Sequence, residues 1–89
     1  MPQVVVPPPY RGPTGGRAEL DAAGTSVRDC LEDVGRRHPG FAEQIFDARG
    51  NVHKFVTVCL NGDEIERGDV DHAVAEGDRV EILAAVAGG

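Results

Sequence analysis

Side chains able to do chemistry are few in this 89-residue chain, and they are scattered. His38, His53 and His72 form no HxxxH or HxH pair, so the ligand spacing a tetrahedral zinc site needs is missing, and they read as surface imidazoles. Asp69 and Asp71 make a lone DxD without the rest of a calcium loop. The run from Gly12 to Arg17 lacks the Gly-Lys-Ser/Thr ending of a phosphate-cradling loop. Cys30 and Cys59 belong to no CxxC motif. Each falls on an apolar pattern, so both are expected to be buried, inert thiols, kept reduced in a cytosolic setting. What remains is the end of the chain, Gly88-Gly89. Without Cβ atoms, two glycines can take any backbone conformation and thread a narrow tunnel. They leave the terminal carboxylate unhindered. A partner enzyme using ATP could turn that carboxylate into an acyl-adenylate, and a sulfur nucleophile could displace AMP to leave a thiocarboxylate.

The elements that must present this end can be read from the pattern. Gln3 to Val6 reads as a buried strand halted by Pro7-Pro8-Pro9. Tyr10 to Gly16 is a loop of turn formers, and Arg17 to Asp21 a returning strand. Pro7 to Tyr10 spells either a polyproline ligand or a rigid hairpin edge. Thr25 or Ser26 caps a helix whose Val27, Cys30, Leu31 and Val34 fall at i, i+3, i+4 and i+7. Arg36, Arg37 and His38 suit its C-terminal end, and Pro39-Gly40 stops it. Phe41 to Phe46 predicts a short second helix, and Asp47 to His53 a loop. Phe55 to Leu60 alternates as a central strand, Asn61-Gly62 is a hairpin turn, and Asp63 to Glu66 returns. Glu76-Gly77-Asp78 turns into a last strand from Val80 to Leu83.

A hairpin, a crossing helix and further strands place the first and last strands side by side and parallel. The expected fold is therefore α+β: a β-grasp, or ubiquitin-like, mixed sheet of about five strands on one main helix. Residues 1–83 would form the domain and 84–89 a flexible C-terminal Gly-Gly tail. With three Phe, one Tyr and no Trp, the core must be built from Val, Leu, Ile and Ala.

Charge is uneven. Residues 1–62 balance seven basic against seven acidic side chains, whereas residues 63–81 hold eight acids against Arg67 and Arg79, so the net charge of −6 sits just before the tail. Such a field repels nucleic acid and steers a partner with a basic face toward the C-terminus; it also serves as an ordinary solvated acidic loop. The apolar Val80, Ile82, Leu83, Val86 and Ala87 are the expected docking residues for that partner. No apolar run approaches the roughly 20 residues of a membrane span, and the Met-Pro-Gln start lacks a signal-peptide pattern, so a cytoplasmic location is expected.

Three stretches carry a family resemblance: Phe55 to Asp63 (FVTVCLNGD), Glu76 to Leu83 (EGDRVEIL) and Ala85 to Gly89 (AVAGG). The chain resembles the ThiS/MoaD family of ubiquitin-like sulfur carriers over nearly its whole length. Val4 to Pro7 (VVVP), Thr14 to Gly16 (TGG) and His53 to Val56 (HKFV) look closest to the CysO-type branch of cysteine biosynthesis. One departure is Ala84, where a proline is usual.

The resemblance implies a carrier, not an enzyme, with no bound cofactor and no metal. Gly89, preceded by Gly88, would be adenylated with ATP by an E1-like adenylating enzyme or sulfurtransferase of the MoeB/ThiF/MoeZ type, then converted to a thiocarboxylate. The sulfur would pass to an acceptor such as a cysteine synthase or another thiocarboxylate-dependent synthase, serving cysteine, a cofactor or a thiosugar-like product. A zinc-dependent peptidase would release cysteine from the carrier in the CysO-type branch. An alternative within the same fold is a protein modifier forming isopeptide bonds through Gly89. Lys54, the sole lysine, argues against lysine-linked chains of such a modifier. A third reading is a non-covalent interaction domain whose Gly-Gly is incidental.

Overall fold

The computed structural model describes residues 1–84, and of Ala84 the backbone alone. The tail expectations for Val86, Ala87, Gly88 and Gly89 lie outside the described residues.

Seven regular elements follow in chain order: β1 (Gln3–Val5), β2 (Glu19–Asp21), α1 (Val27–Arg37), α2 (Phe41–Ile45), β3 (Val56–Leu60), β4 (Asp63–Ile65) and β5 (Arg79–Ala84). The strands form one mixed sheet in the order β2-β1-β5-β3-β4. β1 and β5 run parallel, with Val4 opposite Val80, and every other neighbouring pair is antiparallel. This is the β-grasp arrangement that the element order implies.

α1 forms because its local signals agree. Ser26 Oγ accepts the Asp29 N–H at 3.1 Å, so Ser26 is the cap. The other free donors of the first turn are met from far along the chain: Val27 N–H by the His72 carbonyl (3.0 Å) and Arg28 N–H by that of Val70 (2.7 Å). Val27, Cys30, Leu31 and Val34 are all fully buried. Near its C-terminal end, Gly35 meets α2 closely; a Cβ there would lie 2.9 Å from that of Ala42.

Helix and sheet close on a core of Val4, Val6, Leu20, Leu31, Phe41, Ile45, Val52, Val80 and Ile82. Asn61 (φ 53°) and Gly62 (φ 88°) supply the two left-handed residues of the tight β3–β4 turn. The turn is tied to the start of β5, since the Asn61 amide donates to Asp78 and its carbonyl oxygen accepts the Arg79 N–H at 2.9 Å.

Two segments of the β1–β2 connection are held by specific contacts. Pro8–Tyr10 is a 3₁₀ turn, closed by Tyr10 N–H to the Pro7 carbonyl at 3.0 Å, with Tyr10 packed on the core. A polyproline ligand needs an extended left-handed helix, so of the two readings the turn fits the rigid edge. The long β1–β2 connection is pinned by Thr14, only 2 % exposed, whose hydroxyl lies 3.1 and 3.0 Å from the Arg11 and Arg17 carbonyls. No helix among the described residues is long and apolar enough to cross a membrane.

Candidate functional site

β5 decides what the chain presents, because it is a central strand that leads straight into residues 85–89. Alternation along it is strict. Val80 and Ile82 are 0 % exposed, packed in the core opposite Leu60 and Val58 of β3. Arg79, Glu81 and Leu83 face the other way, onto the sheet face that no helix covers, and Leu83 is 41 % exposed. The expected docking role of Val80 and Ile82 is therefore corrected: they hold the strand down, and of the three expected residues on β5 Leu83 is the exposed one. Sequence alternation alone could have separated the two sets, since charges occupy positions 79 and 81.

Phe55 joins Leu83. It stands two residues before Thr57, the cross-strand partner of Leu83, and is 65 % exposed with the Lys54 ammonium 5.0 Å from its ring centroid. Large apolar side chains left in water near the exit of a terminal segment mark a contact surface more than scattered ones do. Phe55 is a large exposed apolar side chain that the sequence reading did not single out. Its signal was the second apolar face of the β3 alternation.

One residue row crosses the whole open face. Register places Glu19 (β2) beside Val5 (β1), Val5 beside Glu81 (β5), Glu81 beside Cys59 (β3) and Cys59 beside Glu64 (β4). Glu19 is engaged by Arg79 at 2.6 Å. Glu64 and Glu81 make no hydrogen bond or ion pair with any other described residue through their side chains.

Both cysteines are free and buried, as the sequence pattern predicts. Cys30 lies in the core, and burial pushes its thiol up, helped by Asp29 and Asp33. Cys59 lies on the open face, 7 % exposed, with its thiol raised first by burial and then by Glu81 and Glu64. Neither thiol has the cationic neighbour that makes a cysteine nucleophilic.

The acidic stretch divides into two roles. Asp71 pairs with Arg28 at 2.9 Å, and Arg28 also donates to the Gly50 carbonyl at 2.7 Å. Glu76 holds the N-terminal ammonium at 2.7 Å. Asp78 accepts the Ala75 N–H at 2.8 Å, which with the Asn61 amide keeps its carboxyl below the usual range. Asp78 thus closes a turn, while Asp71 and Glu76 form ion pairs with groups far away in the sequence. Glu64 and Glu81 belong instead to the open face. His38, His53 and His72 remain apart, with His53 beside the Glu43 carbonyl and His72 beside that of Ala73. Among the described residues no three His, Cys, Asp or Glu side chains converge as metal ligands.

This arrangement has counterparts. Residues 4–89 match the ThiS family. A sulfur carrier protein CysO of Mycobacterium bovis is 34 % identical over 97 % of this chain and 96 % of its own length. Among solved structures, CysO in the Amycolatopsis orientalis BexX/CysO complex superposes with a TM-score of 0.90, at 32 % identity and with both chains fully covered. Mycobacterium tuberculosis CysO gives 0.87 at 30 % identity, covering 97 % of this chain and all of that one. A family match that starts in β1 and runs to Gly89 takes in both the sheet and the Gly-Gly end, and on it the chain belongs to the ThiS family.

Proposed function

We propose that this protein is a sulfur carrier whose working group is the Gly89 carboxylate, serving cysteine biosynthesis. The observation that carries the reading is the family match through Gly89, on a fold that superposes end to end with CysO proteins. The chemistry follows from the terminus. A carboxylate oxygen attacks the α-phosphorus of ATP on an E1-like adenylating enzyme, and pyrophosphate leaves. A sulfur nucleophile then adds to the acyl carbon, AMP departs, and the thiocarboxylate remains for an acceptor enzyme. The chain itself supplies no acid, base or metal to these steps. It supplies Gly88 and Gly89, which pass through a narrow channel, and a surface to grip. That surface includes Leu83 and, in the same proposal, Val86 and Ala87. Binding to an enzyme partner is supported by the CysO relative crystallised in complex with BexX.

Intact mass after incubation with ATP, sulfide and the cognate adenylating enzyme tests this. The expected product gains the mass difference between one sulfur and one oxygen, and deleting Gly89 abolishes the gain while the far-UV spectrum stays native. Stable conjugates to other proteins would mark a modifier instead. An unchanged wild-type mass would refute both.

A further inference from the structure

Both residues of the Asn61-Gly62 turn are exposed, and a Cβ at Gly62 would meet nothing within 4 Å. Packing therefore does not shield this dipeptide, and glycine offers no side chain to crowd its own main-chain nitrogen. What restrains the Asn61 amide is a set of hydrogen bonds to the turn before β5. Its carbonyl oxygen accepts the Arg79 N–H at 2.9 Å, and its NH2 donates to Asp78 Oδ1 at 3.1 Å. The Asn61 main-chain N–H donates to the Arg79 carbonyl at 2.9 Å, and the second Asp78 oxygen accepts the Ala75 N–H at 2.8 Å. Both polar ends of the amide are thus engaged across the gap between two turns.

The reaction open to an Asn-Gly pair needs only water. The Gly62 main-chain nitrogen attacks Asn61 Cγ and a C–N bond forms. The Cγ–Nδ2 bond breaks, and ammonia leaves with the proton that the attacking nitrogen gave up. Water then opens the cyclic imide at one carbonyl or the other, leaving aspartate or isoaspartate at position 61. Ring closure requires the side chain to leave Asp78 and Arg79 first, so the rate follows the fraction of molecules in which this clasp is open. The product does not close it again. A carboxylate at position 61 has lost the donor and faces the Asp78 carboxylate where a 3.1 Å hydrogen bond stood, and like charges so placed repel. Isoaspartate also adds a main-chain carbon to a turn whose length sets the β3–β4 register.

We propose that Asn61-Gly62 is a deamidation site held shut by Asp78, and that its conversion releases the β3–β4 turn from the start of β5. The inference is independent of the carrier reading, since it uses only this hairpin and the turn at Asp78. Asp78 is a positioning residue: it holds the amide nitrogen in the resting fold and takes no part in ring closure. β5 begins at Arg79 and leads into residues 85–89, so the modification loosens the first residues of the central strand that precedes them.

The test is ageing of the full-length protein at neutral pH and constant temperature, well below the Tm of every variant. Trypsin cleavage after Lys54 and Arg67 isolates Asn61 as the one side-chain amide of its peptide, and the mass difference between an amide and its acid reports conversion. Conversion should be about tenfold or more slower in the folded protein than in urea, and about tenfold faster in D78N than in wild type, because a hydrogen bond to a charged group shifts a local opening by about that factor. E66Q, which removes one charge from the same exposed acidic stretch, should convert at the wild-type rate. N61D makes the product directly and should lower the urea midpoint. N61D/D78N exchanges amide and carboxylate, so that a donor again faces an acceptor, and should recover that midpoint. Conversion as fast in the folded protein as in urea, or a D78N rate within about twofold of wild type, overturns the clasp. An N61D midpoint equal to wild type, or no recovery in the double variant, overturns the effect assigned to the modification.

Discussion

Adjacent residues 82 and 83 lie on opposite faces of β5, so truncating each to alanine separates stability from recognition. Ile82→Ala removes three carbons from a fully buried side chain opposite Val58. At about 0.8 kcal/mol per carbon the transfer loss is about 2.4 kcal/mol, and the cavity left between rigid strands raises it to about 3–4 kcal/mol. Single domains of this size have a total stability of roughly 4–13 kcal/mol, so the variant loses a quarter or more of it. Its Tm should fall by about 12–30 °C. Leu83→Ala removes as many carbons, but from a side chain 41 % exposed, and should cost below about 1 kcal/mol. Urea unfolding followed by circular dichroism gives both values, and the mass assay gives the KM for the carrier. Leu83→Ala should raise KM with kcat unchanged, whereas Ile82→Ala below its Tm should leave KM near wild type. The reverse outcome, a large stability loss at 83 and a small one at 82, would mean that β5 is shifted by one residue. Such a slip would turn every side chain of the strand to the other face and refute the site described above.

Gly24→Ala should destabilise the protein by about 1–3 kcal/mol, because the new Cβ would stand 2.5 Å from the Asp29 Cβ and 2.9 Å from the Cys30 nitrogen, at the start of α1. Gly12→Ala, which meets nothing within 4 Å, is the comparison, and equal urea midpoints for the two would show that the approach to α1 is looser than described. Acid should unfold the protein through three carboxyls held below the usual range: Asp33 chiefly by the Ala23 N–H, Asp47 by the Asn51 N–H and Asp78 by the Ala75 N–H. A folded pKa below the unfolded one contributes stability that is complete above the unfolded value, about 3.9, and is lost as pH falls through the folded value. Urea midpoints should thus be flat down to about pH 5 and drop steeply below about pH 4, with a shallower drop in Asp33→Asn. An acid limb unchanged in that variant would remove Asp33 from the account.

Local signals made much of this fold legible. α1 could be read whole because its cap, its apolar stripe and its basic end each lie within a turn or two of their partners. Asn61-Gly62 fixed the β3–β4 hairpin for the same reason, as the φ > 0 requirement is met by the two residues themselves. The parallel β1–β5 pair followed from connection rules once a helix separated two strands. Residues 67–75 were opaque for the opposite reason. Val70 is buried, but it stands alone in a polar stretch and produces no periodicity. Its place is set by the carbonyls of Val70 and His72, which satisfy the first N–H groups of α1 more than 40 residues earlier. A helix terminus announces that its donors need partners but not where in the chain they come from.

The candidate site divides along the same line. The proposal for Gly88-Gly89 could be formed from the sequence because a terminal carboxylate needs no neighbour for its chemistry. The row across the open face is a property of register: Glu81, Cys59 and Glu64 are apart in sequence and become one row only when β3 pairs with β5 on one side and β4 on the other. Reading Val80 to Leu83 as one apolar docking strip overlooked that a strand shows only alternate residues to a partner. The two buried ones are what allow the other two to be presented at all. Val80 and Ile82 anchor β5 in the core at the centre of the sheet, and that anchorage fixes the position from which a chain as short as residues 85–89 must reach an active site in another protein. The buried side of β5 thus holds the strand in place, and its other side leaves Glu81 and Leu83 on the open face of the sheet.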